Sequence, residues 1–367
     1  MATPVSPHEV HIALVHTPDH PADPAGTART ADALAAAGHR VRLLTDRPAG
    51  PGTDGVRSGP LPAAAAPGAL PDLAAAWAGD PPDVVYALGA TAAATALATG
   101  LPVVQAAVPG GPVPVPGADR VLAASEDQHT DLLVQGVPRS RLRTIPAAVD
   151  TDAYAPAGES LRRGDRSRIV VDGALGRGDG PGAMIAALPR VPAAELLVAG
   201  GRTGPDEDRD RLFAAARDLG VAARVRFLGP VEGALLARLL RSADVVVAAA
   251  GHDVPADPVL RAMACGRPVV ASAVGALRDV VVDRVTGVHV ALGRPAELAA
   301  TVRALLADDG VRTGYGIAGR DRARSRFGTA RIAGQLAAVC AELRDADVPD
   351  ESEVDPPVTG DATAARG

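Results

Sequence analysis

The sequence predicts an α/β protein built from two doubly wound parallel-sheet units, and three observations lead there. Short apolar segments alternate with helical stretches, the order that parallel strands with crossover helices require. The chain has 367 residues, more than twice the roughly 150 usual for one domain. Its hydrophobic share is 47% with only 2% aromatic, so Ala, Val and Leu must fill the core, which suits helices packed on a buried sheet.

The first unit reads as strand, loop, helix, strand. Val10–Val15 is a short apolar strand, and Thr17–Gly26, rich in Pro and Asp, is a loop. A helix runs from Thr27 to Ala37 and stops at Gly38, a natural C-cap. Strands follow at Val41–Thr45, Asp83–Leu88, Val103–Ala107 and Arg120–Ala124, with Pro- and Gly-dense loops at Arg47–Pro71 and Pro109–Gly117. The rhythm breaks near residue 150, where Ala155–Asp165 holds little apolar content. It restarts with strands at Arg168–Asp172, Glu195–Ala199, Arg224–Leu228, Asp244–Ala249 and Pro268–Ser272. Helices are expected at Gly182–Ala187, Asp206–Leu219, Leu235–Arg241 and Pro258–Cys265, then at Pro295–Ala307 and Arg322–Leu343. The expected divisions are residues 1–155 and 156–325 as the two Rossmann-like domains, 326–344 as a last helix returning to the first, and 345–367 as an acidic disordered tail.

Charge narrows the chemistry. There are 37 basic and 43 acidic residues, too acidic a balance for a general nucleic-acid binder. Every basic residue is arginine; the chain has neither lysine nor asparagine. Both have AT-rich codons, which points to a GC-rich bacterium. The absence excludes Schiff-base chemistry and the Walker-type loop, whose lysine reaches the phosphates. Cys265 and Cys340 are too few for a disulfide framework or a four-thiolate zinc site. His8, His11, His16 and His20 lack acidic or thiol partners at a set spacing and read as surface and loop histidines. No apolar run approaches the 18 residues of a membrane span, and Met1–Glu9 does not read as a signal peptide, so a cytoplasmic protein is expected.

Four stretches carry a family resemblance over roughly residues 10–343: Leu34–Val41 (LAAAGHRV), Gly136–Asp152 (GVPRSRLRTIPAAVDTD), Val198–Gly201 (VAGG) with Arg224–Gly229 (RVRFLG), and Ala262–Ser272 (AMACGRPVVAS). The last is the most specific, and Val274–Gly275 and Thr286–Gly287 follow it. Together they resemble the GT-B retaining glycosyltransferases of glycosyltransferase family 4. The resemblance implies two Rossmann-like domains facing a central cleft and a nucleotide-sugar donor held mainly by the second. It implies sugar transfer with retention and no requirement for metal.

The same resemblance marks positions where this chain departs. The family pattern G-R-x-x-x-x-K-G places Ala174 at its arginine and Asp179 at its lysine. A unit charge about 4 Å from a phosphate is worth roughly 4 kcal/mol at an effective dielectric near 20, so reversing one costs up to about 8 kcal/mol. A helix N-terminus returns only about 0.3–2 kcal/mol. Arg177, in the same Gly-rich loop, is the candidate replacement cation. In the family's E-x7-E, the second Glu accepts the ribose hydroxyls; here it is Arg261, which has donors and no acceptor. The first Glu, facing the donor sugar, becomes Asp253. Of the Gly-Gly loop after the first strand only Gly26 survives, beside Ala25, and the family histidine position holds Val108. Gly275 remains as a donor-side candidate.

Two readings stay open. One is a working retaining glycosyltransferase with a rearranged donor site, in which Arg177 and Arg261 bind the diphosphate, with Gly26, Asp253 and Gly275 lining the donor. The other is a catalytically silent pseudo-glycosyltransferase that binds a nucleotide or nucleotide-sugar and regulates a partner, such as an active glycosyltransferase. A dinucleotide-dependent dehydrogenase is disfavoured because no G-x-G-x-x-G follows the first strand.

Overall fold

The computed structural model describes residues 9–20, 24–46, 55–62, 72–77, 79–176, 180–291 and 293–346. Arg177, Asp179, His8, the side chain of Ala25 and most of the tail expected at 345–367 lie outside the described residues.

The chain runs β1 (His11–His16), α1 (Pro24–Ala36), β2 (Arg40–Thr45), β3 (Val56–Pro60), α2 (Leu73–Ala76), β4 (Val84–Leu88), α3 (Ala90–Leu97), β5 (Val103–Ala106), β6 (Arg120–Ala123), α4 (Glu126–Val134) and β7 (Leu142–Thr144). It continues through β8 (Ser167–Asp172), α5 (Gly180–Ala187), β9 (Ala194–Ala199), α6 (Glu207–Asp218), β10 (Val225–Gly229), α7 (Gly233–Arg241) and β11 (Val245–Ala248). It ends with α8 (Asp257–Ala264), β12 (Val269–Ser272), α9 (Gly275–Val280), β13 (Gly287–Val290), α10 (Pro295–Ala307), α11 (Asp309–Phe327) and α12 (Thr329–Ala346).

Two sheets result, ordered β3-β2-β1-β4-β5-β6-β7 and β10-β9-β8-β11-β12-β13, with parallel pairing throughout. This is the two-domain Rossmann-like architecture expected from the alternating pattern. Strand β1 shows why its sequence makes a central strand: all six residues of HIALVH are buried, as a parallel strand covered on both faces requires. Ile12 and Leu14 join one core with Leu34 and Leu336, while Ala13 and Val15 join the other with Val85 and Val103. In the second sheet, Ile169 and Val171 pack with Met184 and Leu212, and Val170 packs with Leu236 and Leu260.

Several local expectations are corrected. Val56–Pro60 is an edge strand inside a segment read as loop; among the described residues it pairs only with β2 and is half-buried to exposed, so it carries no apolar signature. His11 and His16 are not surface or loop residues but lie buried on β1, 7% and 2% exposed. The helix expected at Arg322–Leu343 is divided at Gly328, which adopts φ −60° and ψ 140°. The backbone there serves another strand: Val149 N–H donates to the Phe327 carbonyl (2.8 Å), and Thr329 N–H donates to the Val149 carbonyl (3.2 Å). The chain crosses between the two units twice at this one place. Beyond it, α12 buries Ala333, Leu336, Cys340 and Leu343 in the core of the first sheet.

Among the described residues, no helix is long and apolar enough to cross a membrane.

Candidate functional site

In a doubly wound sheet, ligands bind outside the carboxyl ends of strands where the strand order reverses. The reversals here fall between β1 and β4 and between β8 and β11. A cavity of about 490 Å³ lies at these ends. From the first sheet it is lined by Leu14, Leu88, Ala106 and Leu122, and from α12 by Ile332 and Leu336. From the second it is lined by Asp172 and Gly173 at the end of β8, and by Pro255–Pro258 and Arg261 around the start of α8. The connecting segment Ile145–Ala148 forms part of its wall.

The polar side of the cavity centres on Arg261. Its Nη1 lies 3.8 Å from Asp172 Oδ2 and its Nη2 lies 4.0 Å from Asp257 Oδ1. Its guanidinium also stands 5.8 Å above the Tyr154 ring. Helical spacing explains the Asp257 contact, since residues four apart share a face; the Asp172 contact is made by the fold. Burial pushes the Asp172 carboxyl up to about 6, with Arg261 opposing the rise and Asp257 adding to it.

Gly173 leaves β8 at φ 143°, a conformation that suits glycine. The VAGG stretch proves to be structural packing: a Cβ on Gly200 would overlap the Gly173 carbonyl, and one on Gly201 would crowd Leu175.

Asp253 and Gly275 are brought together. The Asp253 carboxylate accepts from Ala276 N–H at 3.1 Å, and a Cβ on Gly275 would overlap that carboxylate. Burial raises the Asp253 pKa; Asp127, Asp131 and Asp279 add to the rise, against the Ala276 hydrogen bond. From the first domain, Asp127 reaches across: its Oδ2 accepts from Gly275 N–H at 3.0 Å, and its Oδ1 accepts from Arg278 at 3.1 Å. Reciprocally, Glu126 N–H donates to Asp279 at 2.9 Å. Side-chain carboxylates thus occupy both of these facing helix starts.

The other expected positions scatter. Gly26 lines the cavity. Val108 is half-buried and Ala174 exposed, and neither is among the cavity's lining residues. Gln105, at the family histidine segment, accepts from Val115 N–H at 2.9 Å and so fastens the loop after β5. Ser125 accepts from Gln128 N–H at 3.1 Å as the N-cap of α4. His20 lines the cavity; burial and then the neighbouring His16 lower its pKa to about 4, so it is neutral at physiological pH. Sequence reasoning did not single out Asp172, Asp257 or Tyr154, because a lone Asp at a strand end carries no pattern.

Residues 166–308 match the family described as Glycosyl transferases group 1. D-inositol 3-phosphate glycosyltransferase from Xylanimonas cellulosilytica is 36% identical over 264 residues, covering 67% of this chain and 63% of that protein. The enzyme of that name from Geodermatophilus obscurus is 34% identical, over 58% of this chain and 51% of its own length. The chain thus spans less than two thirds of the length of these relatives. Among solved structures, sucrose-phosphate synthase from Thermosynechococcus elongatus superposes with a TM-score of 0.77 at 23% identity, covering 91% of this chain and 99% of the other. HepE from Anabaena, in complex with UDP and glucose, superposes with a TM-score of 0.74 at 18% identity, covering 91% and 100%. The chain carries a glycosyl transferases group 1 domain in its second half, on the two-domain fold of GT-B glycosyltransferases.

Proposed function

We propose that this protein transfers a sugar from a nucleotide-sugar donor to a hydroxyl group of a small acceptor, with retention and without a metal. The bond between the anomeric carbon and the diphosphate oxygen breaks, the acceptor oxygen bonds to the anomeric carbon on the same face, and the nucleoside diphosphate leaves with the acceptor's hydroxyl proton. The observation that carries this reading is the cavity at the reversal points of both sheets, bordered by the group 1 domain. Charge building on the leaving diphosphate calls for fixed cations and backbone N–H groups. Arg177 and Arg261 are the cations proposed for it, and Gly26 brings backbone close to the same cavity. Asp253 and Gly275, which are not lining residues themselves but lie beside Pro255 and Ala276, form the proposed sugar end. Its similarity to D-inositol 3-phosphate glycosyltransferases makes an inositol phosphate the first acceptor to test.

A silent relative that binds a nucleotide-sugar and regulates a partner is the second reading. Arg261 favours it, because it stands where the resemblance calls for a carboxylate and is already engaged by Asp172 and Asp257. The two are separated by incubating the full chain with UDP-, GDP- and ADP-sugars, with and without inositol phosphate, and measuring released nucleotide. Acceptor-dependent release supports transfer. Saturable binding with no release in any combination supports the silent reading and contradicts transfer.

A further inference from the structure

Asp172 ends β8 where the second sheet reverses its strand order, and its side chain, 10% exposed, lines the cavity. Among the described residues nothing donates a hydrogen bond to its Oδ2. At 3.8 Å, Arg261 Nη1 is an ion-pair partner but lies beyond hydrogen-bonding distance. The guanidinium is shared with Asp257 and held over Tyr154. A buried carboxylate oxygen without a donor is costly, and folds keep such groups where something else supplies the donor. Repulsion excludes an anion from that oxygen, and Arg261 already supplies a positive charge beside it. What fits is a neutral donor, and in a nucleotide-sugar two adjacent hydroxyls match the two oxygens of one carboxylate.

We infer that Asp172 is the acceptor for adjacent ligand hydroxyls in the cleft, those of the ribose or of the hexose of a nucleotide-sugar. The inference rests on the nucleotide-sugar reading above. It moves hydroxyl recognition from α8, where Arg261 cannot accept, to the end of β8.

The test is calorimetric titration of the full chain, as wild type, Asp172→Asn and Asp172→Ala, with UDP, 2′-deoxy-UDP, 3′-deoxy-UDP and UDP-glucose, and with the corresponding GDP and ADP ligands. Hydrogen bonds to a charged group are worth about 1.5–3 kcal/mol, so each variant should bind its best nucleotide-sugar roughly tenfold or more weakly than wild type. If the ribose supplies the hydroxyls, each deoxy substitution costs wild type about tenfold and costs the variants nothing. If the hexose supplies them, the gain of a nucleotide-sugar over its nucleoside diphosphate disappears in the variants, and the deoxy ligands behave like the parent. Asp172 variants that bind every ligand as wild type does, or that keep its deoxy and hexose differences, overturn the inference and leave the nucleotide-sugar reading intact. A wild-type chain that binds none of these ligands overturns that reading, and the inference with it. Using both variants keeps the test available if one fails to fold.

Discussion

The first-domain side of the cleft presents Leu14, Leu88 and Leu122, joined by Ile332 and Leu336 from the returning helix, whereas the second-domain side presents Asp172, Asp257 and Arg261. Both sheets share one strand order around their reversal points, with β7 added to the first, so the backbone offers the two sides of the cleft almost alike. What differs is the side chains at the strand ends. One wall contributes to stability by burying apolar surface. The other holds a carboxylate against the cost of desolvation. Position comes from the fold, and chemistry comes from the few residues placed on it.

The largest expected effect lies on the apolar wall. Leu14 is fully buried between the sheet and the returning helix, so Leu14→Ala should destabilise the protein by about 2–5 kcal/mol. Denaturant unfolding should give the same loss at pH 4 and pH 7.5, since no charge is involved; a pH-dependent loss would break the contrast between the walls.

The charged wall should behave in the opposite way. Asp172 ordinarily titrates at 3.8 and is held at about 6 in the fold, so the folded state binds the proton more tightly than the unfolded one. Its contribution is therefore most favourable below about pH 4 and is lost as pH rises through 6. Asp172→Asn, which mimics the protonated form, should stabilise the protein by up to about 3 kcal/mol at pH 7.5 and by almost nothing at pH 4. A variant less stable than wild type at pH 7.5 would show that the pairing with Arg261 outweighs burial. A gain in stability together with weaker nucleotide-sugar binding would mark Asp172 as a residue kept for the ligand.

The smallest effect concerns the contact joining the two sides. Asp127 is partly exposed and bridges to Arg278 at 3.1 Å, so Asp127→Ala should cost only about 0.5–1 kcal/mol in thermal unfolding. A much larger loss would mean that the two walls are held together mainly by this contact and not by the returning helix.

Much of the fold was legible in the sequence, because buried parallel strands write continuous apolar runs: the stretches read as strands at Asp83–Leu88, Val103–Ala107 and Pro268–Ser272 form strands at Val84–Leu88, Val103–Ala106 and Val269–Ser272. Edge strand β3 was not legible, since VRSGP buries too little to show a pattern. Nor was the break at Gly328, whose cause is a bridge to Val149, far away in the chain. The site divides in the same way. Arg261 stood out because it replaces an expected carboxylate inside a recognisable stretch. Asp172 did not, because its meaning comes from the β8–α8 juxtaposition that places it against Arg261.

The proposed function requires a nucleotide-sugar to sit in the cleft with the Asp172–Arg261 wall at one side. Hydrogen–deuterium exchange of the full chain, with and without the saturating nucleotide-sugar, tests it most directly. Protection is expected at the segments around Asp172–Gly173, Pro255–Arg261 and Ile145–Ala148, with little change on the outer helices α6 and α10. Ligand protection confined to other segments, with these three unchanged, would contradict it.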